Sequence, residues 1–318
     1  MEQGFAIWAN PSSPHAEGRK ARAALEDARA RCKAALGWDG ELIFTSGASE
    51  ALAIGLQRAK VERKLVSAVE HDAVFRAAPH AEVLAVDDGM AVLPEDLAGA
   101  VVAIQQVNSE TGAMMLEIGE PHQAVANAGG FLLADCSQGA GKTPLPDCDM
   151  AVISAHKLGG PIGIGALLVR DYAMLEPVGG HERGYRAGTE NLPAAMGFAA
   201  ALEAGGQESW ATTAQQRSDF WEGLAQGWLT TGQVHCDYIR GLTHPTLSAQ
   251  VALIRLDGMG FAVSAGSACS SGSLKKSRVL DAFGINDDIA ARTIRVSLGW
   301  NTRPDDLEAF AKAWACLS

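Results

Sequence analysis

The segment that decides the fold is FLLADCSQGAGKTP, residues 131–144. Its second half, GAGKT, resembles the end of a phosphate-binding P-loop, which needs a glycine five positions before the Gly-Lys pair and a helix after the lysine. Cys136 occupies that glycine position, and Pro144 and Pro146 follow where a helix would need backbone N–H groups. The P-loop interpretation therefore fails. The apolar run instead predicts a core strand that ends at Asp135, and open α/β sheets bind ligands at the carboxyl ends of their strands.

Short apolar runs alternate with helical patterns through the first half of the chain. A long helix is predicted over Pro14–Leu36, which is rich in Ala, Arg, Glu and Leu and stops at Gly37. The predicted strands are Leu42–Thr45, Leu65–Val69, Val83–Val86, Val101–Gln106, Phe131–Ala134, Met150–Ser154 and Ala166–Val169. Strands alternating with helices predict an α/β fold with a mostly parallel central sheet flanked by helices.

The pattern changes near Gly206, where we place a domain boundary that divides the chain into residues 1–206 and 207–318. An Ala-rich helix over Ala194–Ala204 ends just before this point, and a polar helical segment is predicted around Gln207–Leu229. The remaining residues alternate short apolar runs with a Gly/Ser-rich stretch and end in a helix. They predict a smaller C-terminal α/β domain.

Composition and charge exclude several classes of protein. The chain has 318 residues, 47% of them hydrophobic, and a net charge of -11, which argues against a nucleic-acid or membrane-surface footprint. No apolar run approaches the roughly 20 residues of a membrane span, and the first residues do not resemble a signal peptide, so we expect a cytoplasmic protein. The six cysteines form no C-x-x-C pair, so we expect thiols and no metal site.

A second strand end carries a lysine. The segment MAVISAHKLGGPIGIG, residues 150–165, predicts a buried strand followed by Lys157 and a glycine-rich loop. An isolated lysine is most often a solvated surface charge. At the carboxyl end of a core strand, beside glycines that allow close backbone approach, Lys157 is instead well placed to form a Schiff base with a carbonyl cofactor.

Asp135 and Lys157 together are the two protein groups that pyridoxal phosphate requires. The acid keeps the pyridine nitrogen protonated, and the lysine holds the aldehyde. The segment FTSGASE, residues 44–50, predicts a strand that leads into a helix, whose N-terminal N–H groups attract a phosphate. Alternatively, Ser46 or Ser49 serves only as the N-cap of that helix.

With these motifs in place, the chain is similar to the cysteine desulfurases, which are fold-type I, pyridoxal-phosphate-dependent members of the class V aminotransferase superfamily. It resembles the branch with a short cysteine loop. The matching motifs are NPSSPHAEGRKA (10–21), TSGASEA (45–51), VEHDAV (69–74), VNSETG (107–112), GGHERGYRAGTEN (179–191), SAGSACSSGS (264–273) and IRVSLG (294–299). The resemblance makes residues 1–206 the cofactor domain and residues 207–318 the domain with the cysteine loop.

The resemblance implies a role for each matching position. The implied cofactor contacts are Lys157, Asp135, Gln138, Asn108, Ala48, Ser49, Ser154, His156 and Thr189. Thr189 would reach the phosphate of the partner subunit, which implies a homodimer. His71 would lie against the ring and move a proton, although a strand-end histidine is otherwise most often structural. Arg295 would bind the substrate carboxylate, with Asn108 beside it, unless it forms a structural ion pair.

Cys269 is the implied nucleophile. It lies in a loop of small residues, and Lys275 and Lys276 either activate its thiol or are ordinary surface charges. The implied reaction converts L-cysteine to L-alanine and leaves a persulfide on Cys269 for a sulfur-acceptor protein, in iron-sulfur cluster assembly or in RNA or cofactor thiolation.

The chain departs from the family pattern at its start. The usual upstream L-D-x-x-A-T-T-P-like segment is not found before MEQGFAIWANPSS, so we expect the usual N-terminal segment to be lacking. The alternatives are another class V aminotransferase or a selenocysteine lyase, in which Cys269 would be dispensable, or a non-catalytic cofactor-binding partner protein.

Overall fold

The computed structural model describes residues 1–116, 121–265 and 277–317. The strands are β1 (Glu41–Thr45), β2 (Arg63–Ser67), β3 (Glu82–Leu84), β4 (Val86–Asp87), β5 (Met90–Ala91), β6 (Ala100–Gln105), β7 (Phe131–Asp135), β8 (Met150–Ser154), β9 (Gly165–Val169), β10 (Ile239–Thr243), β11 (Ser264–Ala265) and β12 (Thr293–Ser297).

The α-helices are α1 (Glu2–Ala6), α2 (Ala16–Leu36), α3 (Ala48–Arg58), α4 (Asp72–Ala77), α5 (Pro121–Asn127), α6 (Leu192–Glu203), α7 (Ala214–Gly223), α8 (Ala249–Gly258), α9 (Arg278–Ala282), α10 (Asp287–Ala291) and α11 (Pro304–Ala315). Short 3-10 helices span Ala155–Leu158, Tyr172–Met174, Glu182–Gly184, Gln207–Ser209 and Ala225–Gly227.

A seven-stranded sheet in the order β1-β9-β8-β7-β6-β2-β3 forms the centre of the structure. Strand β9 pairs antiparallel with both β1 and β8, and the other pairs in the sheet are parallel. All seven strands predicted for this part of the chain are present, and the sheet is mostly parallel as predicted. Continuous apolar runs such as β6 and β8 are fully buried, as expected for strands covered on both faces.

Helices cover both faces because successive side chains of each strand point in opposite directions. In β1, Leu42 and Phe44 belong to the core cluster that includes residues of α2 and α6. Ile43, between them, belongs to the opposite cluster, which is built on α3 and α4. Helix α2 begins two residues later than predicted, because the His15 side chain caps it by accepting a hydrogen bond from Gly18 N. Its last residue is Leu36, and Gly37 terminates it as a C-cap with φ +64°.

A three-stranded sheet in the order β10-β12-β11 follows in the C-terminal part of the chain. Its core contains Trp221, Leu242, Ile294 and Phe310. Strand β10 was not predicted. The predicted helical segment over residues 207–229 is broken into α7 and two 3-10 helices, because a Thr213–Gln216 capping box starts a new helix. In the sequence, all strands of the large sheet precede residue 206 and all strands of the three-stranded sheet follow it. The domain boundary at residue 206 stays a prediction.

Four of the cysteines in the described ranges are buried, namely Cys32, Cys136, Cys148 and Cys236, and Cys316 is exposed. All five are free thiols. Among the helices of the described residues, none is both long enough and apolar enough to cross a lipid bilayer.

Candidate active site

A cavity of about 820 Å³ opens at the carboxyl ends of the parallel strands. The residues that follow β1, β2, β6, β7 and β8 line it, and residues of α9 and β12 close it from the C-terminal part of the chain. The cavity brings together nine of the predicted positions: Ala48, Ser49, His71, Asp135, Gln138, Ser154, His156, Lys157 and Arg295.

The N-terminus of α3 forms one wall of this cavity. Its N-cap is Gly47, and no side chain caps the helix, so neither Ser46 nor Ser49 acts as the N-cap. Gly47 has φ +148°, which favours glycine, and a Cβ there would meet no atom within 4 Å. The first-turn N–H groups around Ala48 and Ser49 are therefore presented to the cavity without a competing side-chain cap, as an anion site requires.

Asp135 ends β7 and is 7% exposed. Its Oδ1 accepts a hydrogen bond from Ser137 N at 2.9 Å. Burial raises the pKa of Asp135, while the Ser137 hydrogen bonds and the charges of His71 and Lys157 lower it. A cationic ring nitrogen beside this carboxyl would favour its ionised form.

His71 follows β2 and caps α4, because its Nδ1 accepts a hydrogen bond from Ala73 N at 3.1 Å. Burial lowers its pKa; Asp135 opposes that shift, and Lys157 adds to it. The imidazole is therefore neutral near pH 7, with Nδ1 as an acceptor and its proton on Nε2.

Ser154 ends β8, and His156 and Lys157 lie in the short 3-10 helix that follows it. Ser154 is buried, and its Oγ lies 3.0 Å from His156 Nδ1. Lys157 is exposed in a 3-10 helix that ends at Gly159, whose φ is +88°. Burial and the neighbouring charge of Lys157 lower the pKa of His156. Three polar side chains thus face one end of the cavity.

The backbone of Gln138 is held by Lys142, the lysine of the GAGKT segment that resembles a P-loop. The Gln138 carbonyl accepts hydrogen bonds from Lys142 Nζ at 2.7 Å and from Tyr238 Oη at 3.1 Å. Lys142 Nζ also lies 4.9 Å from the centroid of the Tyr238 ring. Burial lowers the pKa of Lys142 to about 8. This lysine supports the backbone and does not face the cavity.

Asn108 is not among the described residues that line the cavity. It is 1% exposed, and its Oδ1 accepts hydrogen bonds from Glu110 N and Thr111 N, both at 3.0 Å, and from Thr111 Oγ1 at 3.1 Å. These contacts fold the loop after β6. A direct contact of Asn108 with cofactor or substrate stays a prediction.

Arg295 on β12 reaches the cavity from the C-terminal part of the chain. Its Nη1 donates to Ser109 O and its Nη2 to Ser264 Oγ, both at 3.1 Å. Glu110 lies beside it and accepts a hydrogen bond from Ser277 Oγ at 2.6 Å. Burial raises the pKa of Glu110 to about 7, although Ser277, Arg295 and Arg278 act in the opposite direction.

Thr189 is exposed on the loop between β9 and α6 and lies outside the cavity lining of the described chain. The same loop is fixed to α3 by Arg186, whose Nε lies 3.0 Å from Glu50 Oε1. Cys269, Lys275 and Lys276 lie outside the described residues, so their predicted roles stay predictions.

Sequence reasoning did not single out several polar residues that line the cavity, among them Glu70, Glu110, Ser277 and Arg278. Glu70 and Glu110 lie inside the quoted motifs VEHDAV and VNSETG, so their acidic side chains beside other site residues were a usable signal. Arg278 donates to the carbonyls of Ala68 and Glu70, more than 200 residues away. Nothing in the sequence marked that contact.

The residues of the cavity fit pyridoxal phosphate. A buried acid, an uncapped helix N-terminus with a Ser–His pair near it, and a lysine on a short loop line the same space. These are the groups that a pyridine nitrogen, a phosphate and an aldehyde need, and the volume is ample for the cofactor and a small amino acid.

Comparison with known proteins agrees with this fit. The family model described as aminotransferase class-V matches residues 6–310. The cysteine desulfurase IscS 1 of Archaeoglobus fulgidus is 30% identical over 336 residues, an alignment that covers 93% of this chain and 86% of the relative.

Solved structures show the same architecture. A NifS-like protein from Rickettsia africae superposes with a TM-score of 0.83 at 26% identity and covers 98% of this chain and 93% of its own. SspA, solved in complex with cysteine, superposes with a TM-score of 0.76 at 26% identity, covering 95% of this chain and 96% of its own. These matches confirm the predicted fold-type I architecture. The chain therefore belongs to the aminotransferase class-V family.

Proposed function

We propose that this chain is a pyridoxal-phosphate-dependent cysteine desulfurase, which converts L-cysteine to L-alanine and retains the sulfur as a persulfide. The observation that carries this function is the single cavity shared by Asp135, His71, Ser154, His156 and Lys157, in a chain whose relatives bear the name cysteine desulfurase. The cofactor supplies an electron sink for charge that develops on the substrate Cα.

The residues of the cavity divide the work of holding the cofactor. When the cofactor is bound, Asp135 would pair with the ring nitrogen, and the N–H groups of Ala48 and Ser49, with Ser154 and His156, would hold the phosphate. Gln138 would contact the ring oxygen. Lys157 Nζ would hold the aldehyde and would serve as the base that accepts a proton from the substrate. Neutral His71 lies near Asp135 and Lys157 and moves a second proton.

The substrate is held and attacked from the C-terminal part of the chain. Arg295 binds the carboxylate of L-cysteine through its guanidinium, with Asn108 shaping the loop opposite. The Cys269 thiolate attacks the substrate sulfur, so a sulfur–sulfur bond forms and the Cβ–sulfur bond breaks. The electron pair released from that bond stays with the carbon skeleton, which is protonated and leaves as L-alanine.

The persulfide sulfur passes to an acceptor protein that serves iron-sulfur cluster assembly or the thiolation of RNA or cofactors. The active unit is a homodimer in which the partner subunit's Thr189 completes the phosphate site. The protein acts in the cytoplasm and needs no direct contact with nucleic acid or membrane.

The proposal is tested with purified wild type, Cys269→Ala and the control Cys316→Ala, which removes an exposed thiol elsewhere in the chain. Each is incubated with pyridoxal phosphate, L-cysteine and a reducing thiol, and alanine and sulfide are quantified. We expect equal yields of the two products from wild type and Cys316→Ala and none from Cys269→Ala. Turnover of selenocysteine by Cys269→Ala would favour a lyase, and absence of both products in wild type would refute the desulfurase.

A further inference from the structure

Glu70 is a buried acid that the proposed mechanism does not use. It lies between β2 and His71, is 0% exposed, and lines the same cavity as Asp135. Acidic side chains are almost never fully buried unless they are paired. The position of Glu70 at the wall of the proposed cofactor cavity therefore suggests that this acid has a function there.

One carboxyl oxygen of Glu70 anchors the loop that presents His71. Oε1 accepts a hydrogen bond from Gln105 N at 2.8 Å, at the end of β6. The backbone of the same residue is held as well, because Glu70 N donates to Ser67 O at 3.2 Å and Arg278 donates to the Glu70 carbonyl. The position of His71 thus depends on both the side chain and the backbone of Glu70.

The second carboxyl oxygen, Oε2, is fully buried, and no donor in the described part of the chain meets it with hydrogen-bond geometry. The Ser67 side chain lies near the carboxyl and favours its ionised form, but does not outweigh burial. Burying an unpaired carboxylate charge costs far more free energy than burying a neutral polar group, so protonation removes the larger penalty. The geometry alone therefore favours the acid form.

The net effect of burial and of the charges that face Glu70 also favours the acid form. Burial raises the pKa of Glu70 well above its ordinary value, and the negative charge of Asp135 raises it further, while the Gln105 hydrogen bond, Arg278 and Ser67 lower it. The Arg278 guanidinium is already engaged by the carbonyls of Ala68 and Glu70 and by Asp72, with its Nη2 3.4 Å from Asp72 Oδ1. It does not form an ion pair with the Glu70 carboxyl.

We propose that Glu70 is a positioning residue that works as a neutral carboxylic acid, fixing the His71 loop to β6 while leaving Asp135 as the single negative charge against the cofactor nitrogen. This inference rests on the proposed cofactor site. A second carboxylate beside Asp135 would make both groups harder to ionise, since like charges in a dry site repel strongly. A neutral acid supplies the same anchor without that repulsion.

Two variants of the holoenzyme test the proposal. Glu70→Gln keeps shape, hydrogen-bond capacity and neutrality, and Glu70→Ala removes the anchor. The infrared spectrum of wild type at neutral pH is expected to show the carbonyl band of a protonated acid that disappears in Glu70→Gln. Asp135→Asn is measured alongside, so that a band from Asp135 is not assigned to Glu70.

The absorbance of the bound cofactor, titrated with pH, gives the second readout. Glu70→Gln should shift its midpoint by less than about half a unit, because one neutral group replaces another, whereas loss of an ionised neighbour would shift it by about one unit or more. Glu70→Ala should shift the midpoint or weaken cofactor binding, and Glu70→Gln should restore wild-type behaviour.

Absence of the infrared band, or a one-unit shift in Glu70→Gln, would show that Glu70 is ionised and overturn the proposal. An unaltered titration and unaltered cofactor binding in Glu70→Ala would overturn the positioning role. If Glu70→Ala fails to fold, the Glu70→Gln comparison still decides the charge state. Failure of the desulfurase assay is separate, since both readouts need only bound cofactor.

Discussion

Glu110 Oε2 lies 2.6 Å from Ser277 Oγ and thereby joins the loop after β6 to the N-cap of α9, 167 residues later. Ser277 is 8% exposed, and its Oγ also accepts the hydrogen bond from Leu280 N. One side chain therefore caps a helix and connects two distant parts of the chain at the rim of the cavity.

Burial of Glu110 at this contact makes stability depend on pH, since burial outweighs the opposing effect of the Ser277 hydrogen bond. Because the pKa of Glu110 is raised from 4.5 to about 7, the folded state binds more protons than the unfolded state between these values. Wild type therefore loses stability as pH rises through this window, by up to about 3 kcal/mol from this group. We expect Glu110→Gln to gain that amount relative to wild type between pH 4.5 and pH 8, measured by urea unfolding. Equal changes in both proteins would contradict the prediction.

The buried ion pair between Arg29 and Glu182 should be a major contributor to stability. Arg29 Nη1 lies 2.6 Å from Glu182 Oε2, both side chains are nearly inaccessible, and Glu182 also accepts from Phe44 N. Arg29→Met leaves a buried carboxylate unpaired and should cost about 3–5 kcal/mol of unfolding free energy.

Arg31 on the same helix provides the matched control. It pairs with Glu203 at the surface, where both side chains are at least one-third exposed. Arg31→Met should cost less than about 1 kcal/mol. Similar losses in the two variants, measured by urea unfolding, would show that burial does not set the strength of the Arg29 pair.

Gly47 should be required for cofactor binding and not only for folding. Alanine at φ +148° is strained by about 1–3 kcal/mol, which tilts the first turn of α3 away from the phosphate. We expect Gly47→Ala to weaken pyridoxal phosphate binding about tenfold, since 1.4 kcal/mol corresponds to that factor. Gly223→Ala, in α7 with no atom near the added Cβ, should leave the affinity unchanged. The measurement is the dissociation constant of pyridoxal phosphate for each variant. Equal constants for wild type and Gly47→Ala would contradict the prediction.

Lys142 should destabilise the protein below pH 8. Its pKa is lowered from 10.5 to about 8, so the unfolded state binds more protons between these values and wild type gains stability as pH rises through them. Relative to wild type, Lys142→Met should lose up to about 3 kcal/mol from pH 8 to pH 10.5. Lys312→Met, at the exposed surface of α11, controls for the loss of one charge. A constant difference across the window would refute the prediction.

The sequence predicted the large sheet well because each of its strands contains a short run of apolar residues. Strand β10 was not predicted because Arg240 and Gly241 interrupt its run of apolar residues. Asp135 and Lys157 were identifiable because Asp135 ends one core strand and Lys157 lies three residues beyond the end of the next. Glu70 was overlooked although it precedes His71 in a quoted motif, and its contact with Arg278 of α9, distant in sequence, could not be anticipated. The role of Cys269 and the boundary at residue 206 stay predictions.

The reversed direction of β9 has a consequence for how the site assembles during folding. Ser154 pairs with Gly165, so the ten residues between them, which include Lys157, leave and return at the same edge of the sheet as a hairpin. Such a local contact closes quickly, whereas the parallel pairs β6–β7 and β2–β6 must wait for long chain segments to meet. The loop that carries Lys157 is thus expected to form before the rest of the cavity. Asp135, at the end of β7, is expected to come beside it later in folding.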